Sequence, residues 1–260
     1  MHNEKIGIMG GMGTAAGLYF AQQLIELNKV ARRDADHAAF ILYSDPHIPD
    51  RSDAYYNRAA SPAPSVINGL EKLSGLGADF GVVICNTAHL FFDEIAAKVS
   101  LPLISMIEST GEHIADELPG SVIGLLATTA TATSGLYAGC VERAGCRLVT
   151  PDAAHQALVQ AAIFDPEHGI KSTGICAGPQ ALRWIEEVAD RMRERDGITH
   201  LLLGCTELSF AVQSKQWAGL DIIDPVKLLA LRCLSRVAQS NNIHTIGAHT
   251  RAAAPARRIA

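Results

Sequence analysis

Apolar positions along the chain fall into short runs that punctuate longer amphipathic stretches. The runs KIGIMGG (5–11), FILYSD (40–45), FGVVICN (80–86), LPLISMI (101–107), SVIGLLAT (121–128), RLVTP (147–151), HLLLGC (200–205) and LDIIDP (220–225) are mostly apolar. They are also short, which predicts strands. The stretches 16–31, 64–77, 91–99, 134–145, 179–197 and 224–239 carry apolar residues at helical spacing, and several close on Gly as helix C-caps do. Alternation of helices with near-continuous apolar strands predicts an α/β fold with mainly parallel sheets flanked by helices. Beyond residue 240 the pattern is lost in an Ala-, Arg- and Pro-rich segment, so 241–260 reads as a flexible tail.

The layout repeats. IGIMGGMGTAAG near the start resembles IGLLATTATATSG at 123–135: an apolar strand, small residues, then a helix. From Gly7 to Cys85 is 78 residues and from Gly124 to Cys205 is 81. Each of these cysteines ends an apolar run, has Thr within two residues, and is followed by a further strand and helix. The expectation is two similar lobes related by a pseudo-two-fold axis, with the active site between them. Residues 1–104 and 211–240 are expected in the first lobe and 105–210 in the second. Each lobe then delivers one cysteine from the C-terminal end of a strand, where open α/β sheets bind ligands.

Composition narrows the function. At 260 residues, 48% hydrophobic and 19% charged, the chain can bury a sizeable core. A net charge of −5 gives no reason to expect attraction to nucleic acid or membranes, so an anionic substrate needs specific local cations. The start MHNEKIGIMGG does not read as a signal peptide, no run approaches the ~20 apolar residues of a membrane span, and a cytoplasmic location is expected. None of the six cysteines shows C-x-x-C spacing, which argues against a zinc site or a redox dithiol, and no metal is expected.

A cysteine at a strand end faces the positive end of the following helix, a placement that favours thiolate. Asn86, Thr87 and Thr206 add short polar groups that can hold a carboxylate. Two such sites across a cleft would put thiols on opposite faces of one small molecule. That suits inversion of a carbon stereocentre: a thiolate removes a proton from one face while a thiol supplies one to the other. The carboxylate beside that carbon must be gripped while carbanion charge develops.

At these residues the chain resembles the aspartate/glutamate racemase superfamily, most closely its aspartate racemases. IGIMGGMG (6–13), DPHIPDRS (45–52), CNTAH (85–89), GLLATTATATSGLY (124–137), GIK (169–171), GCTEL (204–208) and DIIDP (221–225) fall in the family's order, over about residues 5–235. The resemblance implies a cofactor-independent amino-acid racemase, without pyridoxal phosphate or metal, often a homodimer. It implies Cys85 and Cys205 as catalytic, with Cys85 serving the D-isomer and Cys205 the L-isomer. It places Arg51 and Lys171 as cations for an acidic side chain, which favours aspartate over glutamate or a broad range of amino acids. Met12, Thr128, Thr131 and Glu207 complete the expected substrate site, Glu207 either tuning Cys205 or orienting the substrate ammonium. Thr14 departs from the usual Pro, and STG after Lys171 is one residue longer than the family's turn.

Blander readings stand beside these. GMGTAA nearly fits a dinucleotide fingerprint, but an oxidoreductase leaves the two Cys-Thr motifs unexplained. A non-catalytic amino-acid-binding protein would not need both cysteines. Cys140 and Cys233 sit in helical patterns as core residues, and Cys146 and Cys176 lack a partner motif. His89 is read mainly as a packing or hydrogen-bonding residue.

Overall fold

A computed structural model of the chain describes residues 4–174, 177–212, 216–217 and 219–240. Cys176 and the expected tail 241–260 lie outside the described residues. In chain order the first lobe contains β1 (Ile6–Gly10), α1 (Thr14–Glu26), β2 (Phe40–Ser44), α2 (Arg51–Tyr55), α3 (Ala63–Gly75), β3 (Phe80–Val83), α4 (Phe92–Ala96) and β4 (Leu103–Ile104). Then come α5 (Met106–Glu117), β5 (Val122–Ala127), α6 (Thr129–Thr133), α7 (Ala138–Arg143), β6 (Arg147–Val149), α8 (Ala153–Phe164), α9 (Ile170–Thr173) and α10 (Pro179–Asp196). The chain continues through β7 (His200–Gly204), α11 (Thr206–Ala211), β8 (Gln216–Trp217), β9 (Leu220–Ile223) and α12 (Pro225–Ser240).

Two sheets form. The first runs β2-β1-β3-β4 and is parallel throughout. The second runs β6-β5-β7-β9-β8 and is parallel except for β8, which pairs antiparallel to β9. β1 and β3 are buried at every position, as their unbroken apolar runs require, whereas the edge strand β2 leaves Phe40 partly exposed. The order β2-β1-β3-β4 recurs as β6-β5-β7-β9, so the repeat in the sequence is a repeat of topology.

The segment 211–240, expected in the first lobe, divides: β9 hydrogen-bonds to β7 in the second sheet, with Leu201 opposite Ile222. It occupies there the place that β4 holds in the first sheet. The helices after these two strands cross over: α5 packs on α7 and α12, and α12 packs on α1. A continuous apolar core follows, joining Ile8, Phe20 and Phe80 to Leu203, Leu229 and Cys233 across the lobe boundary. Full burial of each such side chain is worth roughly 1.5–3 kcal/mol, so the base of the cleft is firmly built.

The eight expected strands are present. The structure adds the two-residue β8, the single-turn helices α2, α6 and α9, and the longer α8. α8 is Ala-rich on every side and buries Gln156 among Val159, Ala162 and Ile163, so its sequence shows little polar–apolar contrast. Between β1 and α1 the chain turns at Gly11, whose φ is +97° and whose added Cβ would lie 2.1 Å from the Asp45 carbonyl oxygen. Only glycine fits there.

Candidate active site

Cys85 follows β3 at the cleft floor. Its N–H donates to the Val83 carbonyl (3.0 Å), and Asn86 then leads a 3-10 turn over Thr87–Phe91. His89 fixes this turn. The buried Met106 N–H donates to His89 Nε2 (3.1 Å), which assigns the ring proton to Nδ1, and Nδ1 donates to the Cys85 carbonyl (2.8 Å). Burial pushes the imidazole down to about 4, so the ring is neutral at pH 7. It stacks on Phe92 at 4.9 Å. His89 thus ties the Cys85 turn to the start of α5, in keeping with its bland reading.

Cys205 follows β7 and stands at the N-cap of α11. Its thiol donates to Glu207 Oε2 (3.0 Å), as does the Thr206 hydroxyl (3.1 Å), and Glu207 Oε1 bonds to Lys171 Nζ. The expectation that a helix end favours thiolate does not hold here. Burial, and then the Glu207 carboxylate, push the Cys205 thiol well above its ordinary value, against the opposing pull of Lys171. Glu207 itself is ionised: burial would raise it, but the Lys171 charge and hydrogen bonds hold it below the ordinary carboxylate value. Burial works against the Lys171 cation too, and Glu207 overcomes it.

Both sulfurs line one cleft of about 290 Å³. Arg51, the first residue of α2, brings its guanidinium to this cleft within 3.3–3.4 Å of the Ile48, Pro49 and Met12 carbonyls. Its Nε is buried without a partner, and among the described residues no carboxylate lies within ion-pair distance of it. Asn86 Nδ2 is likewise buried and unpartnered. Thr87, Thr128 and Thr131 hydrogen-bond to one another at 2.9–3.2 Å, joining the lobes beneath the cleft. Met12, Thr87, Thr128 and Thr206 line the cleft, whereas Thr131 does not and holds the other two hydroxyls from behind.

Lys171 lines the cleft but is not a free cation, since it is paired with Glu207. Sequence reasoning weighed these two residues separately and did not see the pair. It also missed Asp50, Ser52 and Phe164, which line the cleft. Phe164 gives no signal of a site role, because an apolar residue at a helix end reads as core; here its ring lies 5.6 Å from Lys171 Nζ. Asp165 holds the turn between them by accepting from the Glu167 and His168 N–H groups at 3.0 and 2.8 Å. Gly13 leaves room opposite: a Cβ there would lie 2.7 Å from Glu207 Oε1 and 3.1 Å from Lys171 Nζ. Cys140, Cys146 and Cys233 are buried away from the cleft lining. Among the described residues no helix is long and apolar enough to cross a membrane.

Two lobes of like topology, each ending one strand in a cysteine at a shared cleft, make up the two-lobe racemase fold. The Asp/Glu/Hydantoin racemase family model matches residues 9–233, and the chain belongs to that family. It is 31% identical to the aspartate racemase of Picrophilus torridus, with a TM-score of 0.78 over 90% of this chain and 94% of that one. It is 30% identical over 168 residues to the broad specificity amino-acid racemase RacX of Bacillus subtilis (strain 168), covering 63% of this chain and 72% of that protein. The glutamate racemase of Francisella tularensis, solved with D-glutamate, shares the fold at a TM-score of 0.67 and 18% identity, over 93% of this chain and 83% of that one.

Proposed function

We propose that the protein inverts the α-carbon of an acidic amino acid, aspartate first, by passing protons through Cys85 and Cys205, without pyridoxal phosphate or metal. For the isomer whose α-proton faces Cys85, the reaction needs Cys85 as thiolate and Cys205 as thiol. The Cys85 sulfur takes the α-proton from one face, and the bonding pair stays on the α-carbon. The α-carboxylate, held by Asn86 Nδ2 and the Thr87 and Thr128 hydroxyls, spreads that charge. The Cys205 S–H bond then breaks and a C–H bond forms on the opposite face. Cys85 is left as thiol and Cys205 as thiolate, steadied by Lys171. The reverse direction exchanges the roles, and exchange with solvent restores the starting form.

The observation that carries this reading is the meeting of both sulfurs in one cleft with an Arg51 guanidinium that has no acidic partner among the described residues. A planar guanidinium grips a side-chain carboxylate bidentately. A broader substrate range is the second reading, favoured by the similarity to a protein named as a broad specificity racemase.

The test is chiral chromatography of L-aspartate and L-alanine incubated with dialysed protein, with and without EDTA. Aspartate should racemise unaided. Arg51→Ala should lose about ten- to a hundredfold on aspartate, the worth of one charge-assisted hydrogen bond, and far less on alanine. Equal losses on both would remove Arg51 from side-chain recognition, and activity that vanishes with EDTA and returns with a metal would sink the mechanism.

A further inference from the structure

Tyr137 has no place in the reaction as described, yet it is fully buried and reaches across the lobe boundary. It stands at the N-cap of α7 within the second lobe's core, packed with Ile123, Leu125 and Val141. The Cys140 thiol donates to its carbonyl at 3.2 Å, which fixes the backbone beneath the ring. From there the phenol donates to Oδ1 of Asn86, the residue next to Cys85 in the first lobe. Asn86 is only 2% exposed, lines the cleft, and has its Nδ2 buried without a partner.

We infer that Tyr137 is a positioning residue that locks the Asn86 amide with its NH2 edge toward the cleft, keeping that donor for the substrate carboxylate. The inference rests on the proposed racemase reading. An amide has one accepting edge and one donating edge, and the protonated phenol lying against the Oδ1 edge favours the orientation in which it donates. Burial pushes the Tyr137 phenol well above its ordinary value, so it keeps its proton. Were the amide flipped, the phenol would have to turn its proton from Asn86 toward Thr110, the other side chain it meets, and the amide oxygen would face an incoming carboxylate. The second change is unfavourable.

The test is a double-mutant cycle in L-aspartate racemisation using Tyr137→Phe, Asn86→Ala and the pair. Tyr137→Phe should lower kcat/KM about tenfold, mainly through KM. The double variant should fall no further than Asn86→Ala alone, because Tyr137 acts through Asn86. Losses that multiply, or an unaffected Tyr137→Phe enzyme, overturn the inference. A second measurement needs no turnover: the Asn86 side-chain amide pair in 1H–15N spectra of the ligand-free protein, assigned by its loss in Asn86→Ala. That pair should shift in Tyr137→Phe, and no shift overturns the inference. Should Tyr137→Phe fail to fold, aspartate added to the wild type should move the same pair, and an unmoved pair with bound aspartate counts against the inference. A wild type that neither binds nor turns over aspartate would remove the racemase reading for aspartate, while the ligand-free spectra would still test Tyr137.

Discussion

Replacing Glu207 by Gln removes one charge and little volume, and it should change Cys205 in a definite direction. The thiol donates to Glu207 Oε2 at 3.0 Å, and the carboxylate is a cause of its raised value. With the carboxylate charge centred ~4 Å from the sulfur and an effective dielectric of ~20, the repulsion of a thiolate is about 4 kcal/mol. Rearrangement of Lys171 and water will reduce this repulsion, while the direction, a fall in the Cys205 value, stays the same. The Lys171 cation, no longer neutralised, pulls in the same direction. The assay is alkylation of Cys205 by iodoacetamide across pH, followed on its peptide by mass spectrometry. Glu207→Gln should move the midpoint for Cys205 to lower pH while leaving Cys140 and Cys233 unchanged. A midpoint that stays put, or rises, would show that Glu207 does not hold Cys205 in its protonated form.

Two further predictions concern the surroundings of the sulfurs. Gly13→Ala should displace the Glu207–Lys171 pair, because the new Cβ would lie 2.7 Å from Glu207 Oε1. Misplacement on this scale can cost about a hundredfold in kcat/KM; a fully active variant would mean the pair is not needed in place. His89 is held to about 4 in the fold against an ordinary 6.5, so between those values the unfolded chain takes up a proton that the folded one refuses. Stability should therefore fall as pH drops through that window, by roughly 3 kcal/mol. Urea unfolding at pH 7 and pH 4.5 should show a smaller drop for His89→Gln than for the wild type, and equal drops would refute the assignment.

The parallel strands and the repeat were legible because buried parallel strands write themselves as unbroken apolar runs, and the two cysteines end two such runs at matching offsets. β8 was not legible, being two residues held by antiparallel pairing to β9 alone. α8 was hidden because its polar positions point inward: Gln156 donates to the Ala127 carbonyl and Gln160 accepts from Thr129. The place of β9 in the second sheet went unread although the repeat itself contained it, since the strand after the second cysteine mirrors β4. The crossing of α5 and α12 is a tertiary choice that no local pattern encodes. At the site, the motifs hold Cys85, Arg51, Asn86, Thr87, Cys205 and Glu207, all of which line one cleft. The Lys171–Glu207 pair and the Tyr137–Asn86 contact join residues 36 and 51 positions apart. Such pairings follow from the packing of elements and leave no trace in spacing.

The central claim is that two thiols, one for each face of the α-carbon, share the reaction. Proton NMR of L- and D-aspartate in D2O with Cys85→Ser and Cys205→Ser tests it most directly. Serine's hydroxyl neither ionises nor gives up its proton near neutral pH as a thiol does. Inversion should therefore collapse in both directions with either variant. Solvent deuterium should still enter slowly from the side of the intact thiol: into L-aspartate with Cys85→Ser and into D-aspartate with Cys205→Ser. A single variant that keeps near-normal racemisation would contradict the account and leave one of the two cysteines as packing alone.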